Sequence, residues 1–398
     1  MAARTGDWTP SRPDYAILAL AAVLTITGLV VVYSASFVIS LAETATATTP
    51  GTPYYYIIRQ AAWAVLGVIL MVIAMRTDYH IYRTFAVPIM AVTIGMLLAV
   101  LFVGIEAGGA KRWLGIGEFT IQPSEFAKMA VIIYLAAWLV GKGDSLRSFE
   151  GGLIPFVAII GTIGVLIMFQ PNLGTTVVIL AITVTMFFVA GASLLQMLAL
   201  GTTGIGCIFV LATVAGYRMD RLTSYLHAEA DPLGNGFQTL QALIALGNGG
   251  LTGLGLGASR GKFFYVPESH TDGVFAILGE ELGIVATSAV LLLYMILMVR
   301  GYQIARRARD DFGMLLATGI TTWITAQALI NIGGITRVIP LTGVPLPFLS
   351  YGGNALASVL LAIGVLISVS RYGTDRGGYM ERDSSAVPRG QIVRRTRR

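Results

Sequence analysis

The chain has 398 residues, of which 55% are hydrophobic and only 12% are charged, with a net charge of +6. Ordinary soluble domains carry about 25% charged residues, so this chain has too little polar surface to fold in water. It is therefore predicted to be an integral membrane protein. Its apolar segments are nearly continuous and about 20 residues long, which predicts spanning helices and excludes the alternating pattern of a β-barrel.

The predicted fold class is an all-α polytopic membrane protein with about ten spanning helices. The N-terminal run 15–33 is uncharged and too long for the apolar region of a cleavable signal peptide, so it is interpreted as the first span. The ten predicted spans cover residues 14–38, 55–75, 82–104, 123–141, 152–169, 174–190, 193–216, 272–299, 311–336 and 351–370.

The basic residues predict the orientation of these spans. Arginine and lysine are concentrated before span one, between spans two and three, four and five, eight and nine, and after span ten. Because such residues favour the cytoplasmic side, both termini are expected to be cytoplasmic. The predicted organisation is a cytoplasmic segment at 1–13, a ten-helix domain at 14–371 with one large outer loop at 217–271, and a tail at 372–398.

The tail contains seven arginines among 27 residues and few apolar ones. This composition predicts a disordered, solvated cytoplasmic segment, attracted to the anionic lipids of the inner leaflet. Nucleic acid is not expected as a partner of so short a tail on a membrane bundle.

The outer loop contains a glycine-rich run at 247–257. Part of it fits the loose dinucleotide fingerprint, but no soluble strand–helix–strand unit surrounds it, so nucleotide binding is not expected. The glycines are interpreted as points of close backbone approach to membrane or ligand. Before them, residues 237–246 are amphipathic enough to form a helix along the membrane interface, with ordinary packing against the bundle as the equal alternative.

Several basic residues lie at outer segments or span ends, although Arg and Lys usually favour the cytoplasmic side. Positive charge there indicates an anionic ligand, because guanidinium and ammonium groups match phosphate oxygens through charge-assisted hydrogen bonds. For any one of them, a solvated surface charge is the alternative. The candidate ligand-binding residues of this kind are Lys111, Arg112, Arg218, Arg221, Arg260, Lys262 and Arg337.

Two charged residues, Glu125 and Lys128, lie near the start of span four. Their i, i+3 spacing puts them on one face of a helix. Because each charge would cost roughly 2.5–3.5 kcal/mol at mid-span, they are predicted to pair and to face a cavity. An ion pair that only fixes helix packing is the alternative.

Span eight begins with Asp272 and continues to Glu280, about 12 Å farther along at 1.5 Å per residue. A carboxylate at a membrane-embedded mouth is a candidate general base, and a helix N-cap is the alternative for Asp272. His270, Glu280 and Ser350 complete the candidate substrate-binding residues. The spacing of His227, Glu229 and Asp231 matches no familiar metal site, so no metal ligands are predicted.

Six motifs in order along the chain resemble the SEDS family (shape, elongation, division and sporulation), typified by RodA and FtsW. The resemblance implies a peptidoglycan glycosyltransferase that polymerises lipid II on the outer face of the bacterial plasma membrane. It implies that the catalytic aspartate is Asp272 and that the family's membrane-embedded pair is Glu125 and Lys128. The motifs are GAKRW at 109–113, QPSEFAK at 122–128, ADPLG at 230–234, VPESHTD at 266–272, GEELG at 279–283 and LPFLSYGG at 346–353.

The resemblance also implies partners: lipid II, the growing glycan chain, a class B penicillin-binding protein and other divisome or elongasome membrane proteins. No cofactor is predicted with certainty, and a requirement for Mg²⁺ or Mn²⁺ is left open. Two residues depart from the family pattern, Asn172 in place of a common aspartate and Gly273 in place of a common phenylalanine. Residues 245–257 resemble the FtsW branch more than the RodA branch.

The mechanism implied is an inverting glycosyl transfer in which Asp272 takes the proton of the acceptor 4-hydroxyl. Arg112, Arg218, Arg221 and Lys128 are the first choices for stabilising the leaving pyrophosphate. Two other functions compete with this one. A lipid II flippase would use the intramembrane charges along a translocation path, and a non-catalytic scaffold would only recruit the transpeptidase.

Overall fold

The computed structural model describes residues 12–46, 49–107, 110–116, 119–214, 225, 229, 231–232, 234 and 236–373. Arg218, Arg221, His227 and the tail beyond residue 373 lie outside the described residues. The described helices are α1 Tyr15–Thr44, α2 Tyr55–Arg76, α3 His80–Thr84, α4 Ala86–Val103, α5 Pro123–Lys142, α6 Ile154–Met168, α7 Leu173–Val189, α8 Leu194–Val214, α9 Phe237–Gly249, α10 Val274–Arg307, α11 Asp311–Ile335 and α12 Gly353–Arg371.

Within the described residues, eight helical segments are long and apolar enough to cross a membrane, namely α1, α2, α4, α5, α6 together with the helical turn Phe149–Leu153 that precedes it, α10, α11 and α12. Two shorter apolar helices, α7 and the part of α8 up to Gly204, occupy the places of the predicted spans six and seven. A mostly helical membrane fold is thus confirmed, while the number of crossings and the side of each loop stay predictions. The amphipathic segment after residue 236 is also helical, as α9.

Several helices begin where local sequence signals put them. Pro123 is the first residue of α5, where its missing N–H costs nothing. The side chain of Asp310 accepts a hydrogen bond from the Gly313 N–H and caps α11. Asn172 caps α7 in the same way, through the Thr175 N–H. The departure from aspartate at position 172 therefore keeps the cap, because either side chain offers an oxygen to the helix N-terminus.

A small antiparallel sheet between α4 and α5 was not predicted. Its strands are β1 Ile105–Ala107, β2 Ala110–Ile116 and β3 Phe119–Ile121, in the order β1-β2-β3. Glu106 pairs in register with Lys111. The sheet carries Lys111 and Arg112, and it ends one residue before the N-cap of α5.

Three helices are the most buried of those that could span a membrane: α5, α11 and α12. Two-thirds or more of the apolar window of each is buried inside the protein. They contact one another, and α5 and α11 carry the buried polar side chains of Glu125, Lys128, Gln327 and Asn331. Since polar groups are costly against lipid, helices buried inside the protein are where such side chains are expected.

Helix α10 is broken at Gly283, where φ is 72° and ψ is −173°. The main-chain groups around the break bond to the glycine-rich run: the Leu254 N–H donates to the Glu280 carbonyl at 3.0 Å, and the Ile284 N–H donates to the Gly250 carbonyl at 3.0 Å. The part after the break, 284–307, is about 36 Å long, enough to cross a hydrocarbon core alone. The predicted single span at 272–299 is therefore two helical pieces joined through the glycine-rich run.

Two alanine variants can test how closely the glycine-rich run packs against the break of α10. At Gly253, φ is 80° and an added Cβ would overlap the Glu281 carbonyl oxygen, whereas at Gly255, with φ 106°, an added Cβ meets nothing within 4 Å. Alanine at 255 is expected to cost only the penalty of a positive φ, about 1–3 kcal/mol. Alanine at 253 is expected to cost a further 1–3 kcal/mol or so for the overlap. Thermal melting in detergent would measure both, and equal melting of the two variants would contradict this packing.

Candidate active site

Asp272 lies in the turn that precedes α10 and is largely buried. The N-cap residue of α10 is Gly273, so Asp272 lies one residue before the position from which a side chain would cap that helix. Thr271 Oγ1 lies 3.2 Å from Asp272 Oδ1, within hydrogen-bond distance of the carboxylate.

The turn that carries Asp272 is attached to two other parts of the chain. Asn331 of α11 donates from Nδ2 to the Asp272 carbonyl at 2.9 Å and to the Val344 carbonyl at 2.8 Å. The Tyr351 N–H donates to the His270 carbonyl at 2.8 Å. The main chain of the turn is thus fixed both to a central helix and to the segment that precedes α12.

Glu125 and Lys128 form the predicted ion pair, with Nζ and Oε2 separated by 2.8 Å. Both side chains are almost completely buried, 3% and 1% exposed. The Lys128 ammonium also donates to Gln327 Oε1 at 2.9 Å and lies 4.9 Å from the centre of the Trp323 ring. Protein partners therefore surround this ammonium group, as a buried charge requires.

Helix α11 connects the ion pair to Asp272. We call Trp323, Gln327 and Asn331 the α11 ladder, since they recur every four residues on one face of that helix. Gln327 accepts from Trp323 Nε1 at 2.8 Å and donates to the Pro345 carbonyl at 2.8 Å. Polar contacts thus run from Glu125 and Lys128 through Gln327 to the Pro345 carbonyl. Asn331 bonds the adjacent Val344 carbonyl and the Asp272 carbonyl.

The α11 ladder was not predicted from the sequence, although a signal was present. Gln327 and Asn331 are buried amides four residues apart within an otherwise apolar span. Polar side chains are rare inside membrane spans and usually face a bundle interior, so this spacing alone identifies a polar face. The partners of that face come from distant segments and are not readable from the sequence.

Two predicted substrate-binding residues, Lys262 and Glu280, instead join the outer loop to the helices. Lys262 Nζ lies 3.3 Å from Glu281 Oε1, and the Ser34 hydroxyl of α1 donates to the same carboxylate at 2.7 Å. Glu280 accepts from the Ser259 hydroxyl and from the Gly261 N–H at 3.0 Å. These contacts fix residues 259–262 against the first piece of α10.

Arg260, between these anchored residues, is exposed. It lines a pocket of about 260 Å³ with Gln241 and Asn248 of α9, together with Tyr265 and Glu280. The pocket thus combines a guanidinium group, two amides and a carboxylate. Arg260 is one of the predicted anion-binding residues that the structure leaves open to solvent.

Arg112 and Arg337 have protein partners. The Arg112 guanidinium donates to the carbonyls of Gln170 at 3.0 Å and Pro171 at 2.7 Å, which ties the small sheet to the turn before α7. Arg337 pairs with Glu229 at 2.6 Å, and this contact raises the pKa of the guanidinium further above its usual value. Lys111, in contrast, is exposed on the sheet.

His270 lies two residues before Asp272 in the chain. Ser350 precedes Tyr351, whose N–H donates to the His270 carbonyl. The His270 ring contacts the rings of Tyr56 and Tyr351, with centroids 4.8 and 5.5 Å away. Burial lowers the pKa of His270 below its ordinary value of 6.5, which favours the neutral form of the ring. The Ser350 hydroxyl accepts from the Leu346 N–H at 2.7 Å and so closes the turn before α12.

Some buried polar atoms near Asp272 have no hydrogen-bond partner within the described part of the chain. They include Ser269 Oγ, His270 Nδ1 and Asn331 Oδ1. Such atoms are normally paired, with protein or with bound water. Their grouping in and around the Asp272 turn indicates a place where water or a polar ligand binds. The described residues contain no group of three or more His, Cys, Asp or Glu side chains arranged to hold a metal ion.

A family model described as "cell cycle protein" and named for FtsW, RodA and SpoVE matches residues 14–375. Stage V sporulation protein E of Bacillus subtilis is 43% identical over 364 residues, covering 91% of this chain and 98% of that protein. A probable peptidoglycan glycosyltransferase FtsW of Geobacter sp. is 38% identical, covering 90% and 96%.

Solved structures share the fold. A chain of a peptidoglycan synthase complex, whose structure concerns the coordination of polymerization and crosslinking, has a TM-score of 0.72 and 24% identity, covering 91% of this chain and 99% of that one. The rod shape determining protein RodA of Thermus thermophilus has a TM-score of 0.64 and 25% identity, covering 91% and 98%. The matched SpoVE and FtsW proteins are thus more similar in sequence than these structures, in agreement with the resemblance to the FtsW branch.

Proposed function

The chain belongs to the FtsW, RodA and SpoVE family of membrane proteins, and from this premise we propose that it is a peptidoglycan glycosyltransferase acting on lipid II. The observation that carries the proposal is the Asp272 site. A carboxylate at the start of a membrane helix is fixed at its main chain by Asn331 and joined through the α11 ladder to a buried ion pair. Such fixed placement is what a general base requires.

In the proposed reaction, the Asp272 carboxylate accepts the proton of the 4-hydroxyl of the acceptor lipid II. The hydroxyl oxygen forms a bond to the anomeric carbon of the growing chain, with inversion. The bond from that carbon to the pyrophosphate oxygen breaks, and undecaprenyl pyrophosphate leaves with the bonding electrons. Atoms and charge balance without a redox partner.

The leaving pyrophosphate needs positive charge near the outer face. Lys128 and Arg112 are bonded to protein groups, so we assign them to the walls of the site. Lys111 and Arg260 are exposed and are better suited to meet a phosphate. Arg218 and Arg221, outside the described residues, complete the proposed set of cations.

The location and the partners follow from the same proposal. The apolar helices make the chain a multi-pass membrane protein, and lipid II places it in the bacterial plasma membrane with the Asp272 site toward the outer face. A class B penicillin-binding protein is the proposed partner, which would cross-link the strands made here. Further divisome or elongasome membrane proteins would recruit this chain and the penicillin-binding protein to the site of cell-wall synthesis.

Polymerisation by the purified protein tests the proposal. The chain is reconstituted in detergent or vesicles with lipid II alone, then with added Mg²⁺ or Mn²⁺, and the products are separated by length. Glycan strands made without any other synthase are expected. Absence of strands, with the metal ions and with a transpeptidase partner present, would favour a flippase or a scaffold instead.

A further inference from the structure

We propose that Asn331 is a positioning residue for the reaction at Asp272, holding the main chain of the catalytic turn in its working geometry. The inference rests on the proposed function, because it assigns Asn331 a role through the base named there. It concerns a residue of α11 that lies 59 positions from Asp272 in the chain.

The two donor hydrogens of the Asn331 amide are both directed at main-chain carbonyls of other segments. One bond, of 2.9 Å, reaches Asp272, and the other, of 2.8 Å, reaches Val344. The side chain is 3% exposed and belongs to a helix whose apolar window is 78% buried. A buried amide on a buried helix is a rigid support, because its own rotation would break both bonds and leave polar groups unpaired.

The supported element is a turn rather than a regular helix. Within it, Glu268 has a φ of 51°, and its carbonyl accepts from the N–H groups of Thr271 at 3.1 Å and Gly273 at 2.9 Å. These bonds are local to the turn and do not fix where the turn lies relative to the bundle. The bond from Asn331 to the Asp272 carbonyl does so directly. A general base displaced by about 1 Å can lose on the order of 10²-fold in rate.

The same helix face continues to the ion pair. One turn along α11 from Asn331, Gln327 bonds to Lys128 Nζ at 2.9 Å and to the Pro345 carbonyl at 2.8 Å. Gln327 and Asn331 therefore hold the adjacent carbonyls of Pro345 and Val344. This double attachment fixes the 344–345 segment, the ion pair and the Asp272 turn on one common frame.

The Asn331 amide also has an unused acceptor. Its Oδ1 is buried and has no partner among the described residues, yet it belongs to the amide that bonds the Asp272 main chain. A buried acceptor of this kind is normally satisfied by water or by ligand.

Kinetics of lipid II polymerisation by the full-length protein test the inference. Asn331→Leu removes both donors and keeps the approximate size, and kcat is expected to fall about 10- to 100-fold while KM stays within about threefold. The matched control is Thr325→Val on the same helix, whose hydroxyl bonds only within α11, to the carbonyls of Thr321 at 2.7 Å and Thr322 at 3.4 Å. It is expected to keep both constants.

A second variant, Asn331→Asp, keeps the size and the acceptor but cannot donate when ionised. Two neighbouring carboxyl groups repel each other when both are ionised, so the pair retains a proton to a higher pH than a single carboxyl group does. The ionised form of Asp272, which acts as the base, is therefore expected to be lost at a higher pH than in the wild type. The acidic limb of the plot of kcat against pH is expected to move to higher pH. This movement reports that position 331 lies close to the base, as the bond from Asn331 to the Asp272 main chain implies, while the change in kcat without a change in KM tests the positioning role.

Several outcomes would overturn the inference. One is a kcat within about threefold of wild type in a folded leucine variant, and another is a loss seen only in KM or shared by Thr325→Val. A third is a folded aspartate variant with an unmoved acidic limb. If neither variant melts cooperatively, Asn331 is a folding residue and not a positioning one. A wild-type protein that makes no glycan would instead refute the proposed function, which keeps the two failures distinct.

Discussion

Replacing Asp272 with asparagine is expected to reduce lipid II polymerisation by about 10²- to 10⁴-fold, the usual contribution of a general base. Asparagine keeps the size of the side chain but cannot accept a proton from a hydroxyl group. Because Gly273, and not Asp272, is the N-cap residue of α10, and asparagine still offers a side-chain oxygen as acceptor, the fold is expected to tolerate the change. Thermal melting and partner binding are therefore expected to stay near the wild-type values.

The glutamate variant is the matched control for this prediction. It retains a carboxylate but moves it by about one methylene group, a displacement that can itself cost on the order of 10²-fold. A small residual activity in Asp272→Glu, with background activity in Asp272→Asn, is the expected ranking. Wild-type polymerisation by the asparagine variant would exclude Asp272 as the general base.

Breaking the buried ion pair is expected to have the largest effect on stability. Glu125→Gln leaves the Lys128 ammonium in a buried site without its counter-charge, and such a change typically costs about 3–5 kcal/mol. Removing both charges together, with Glu125→Gln and Lys128→Met, should be no worse than either single change. Thermal melting of the four proteins in a double-mutant cycle would measure this coupling.

The contact between Glu229 and Arg337 is a suitable comparison, since its carboxylate is exposed. Glu229→Gln is expected to change the melting temperature little, because exposed pairs are screened by solvent. Additive losses in the Glu125 and Lys128 cycle would argue that those two charges do not interact. Activity should fall in all three pair variants, since the pair and the α11 ladder support the Asp272 turn.

Features that depend on neighbouring residues in the chain were predictable. Composition alone indicates a helical membrane protein. The predicted starts of spans two, four and nine at residues 55, 123 and 311 agree with the helices at Tyr55, Pro123 and Asp311. Hydropathy, proline placement and helix capping depend on residues a few positions apart, so these signals can be recognised in the sequence directly. The i, i+3 pairing of Glu125 and Lys128 is local in the same sense and was predicted correctly.

The arrangement of the site depends instead on contacts between distant segments. Gln327 meets Lys128 across 199 residues, and Asn331 meets Asp272 across 59. At the break of α10 near Gly283, the main-chain groups form hydrogen bonds with residues 250–255, about thirty positions earlier. Lys262 and Glu280 carry the charges expected of a ligand site, yet they bond the loop to the helices. A side chain's charge shows that it needs a partner, and only the packing of helices distant in sequence decides whether that partner is the protein itself or a ligand.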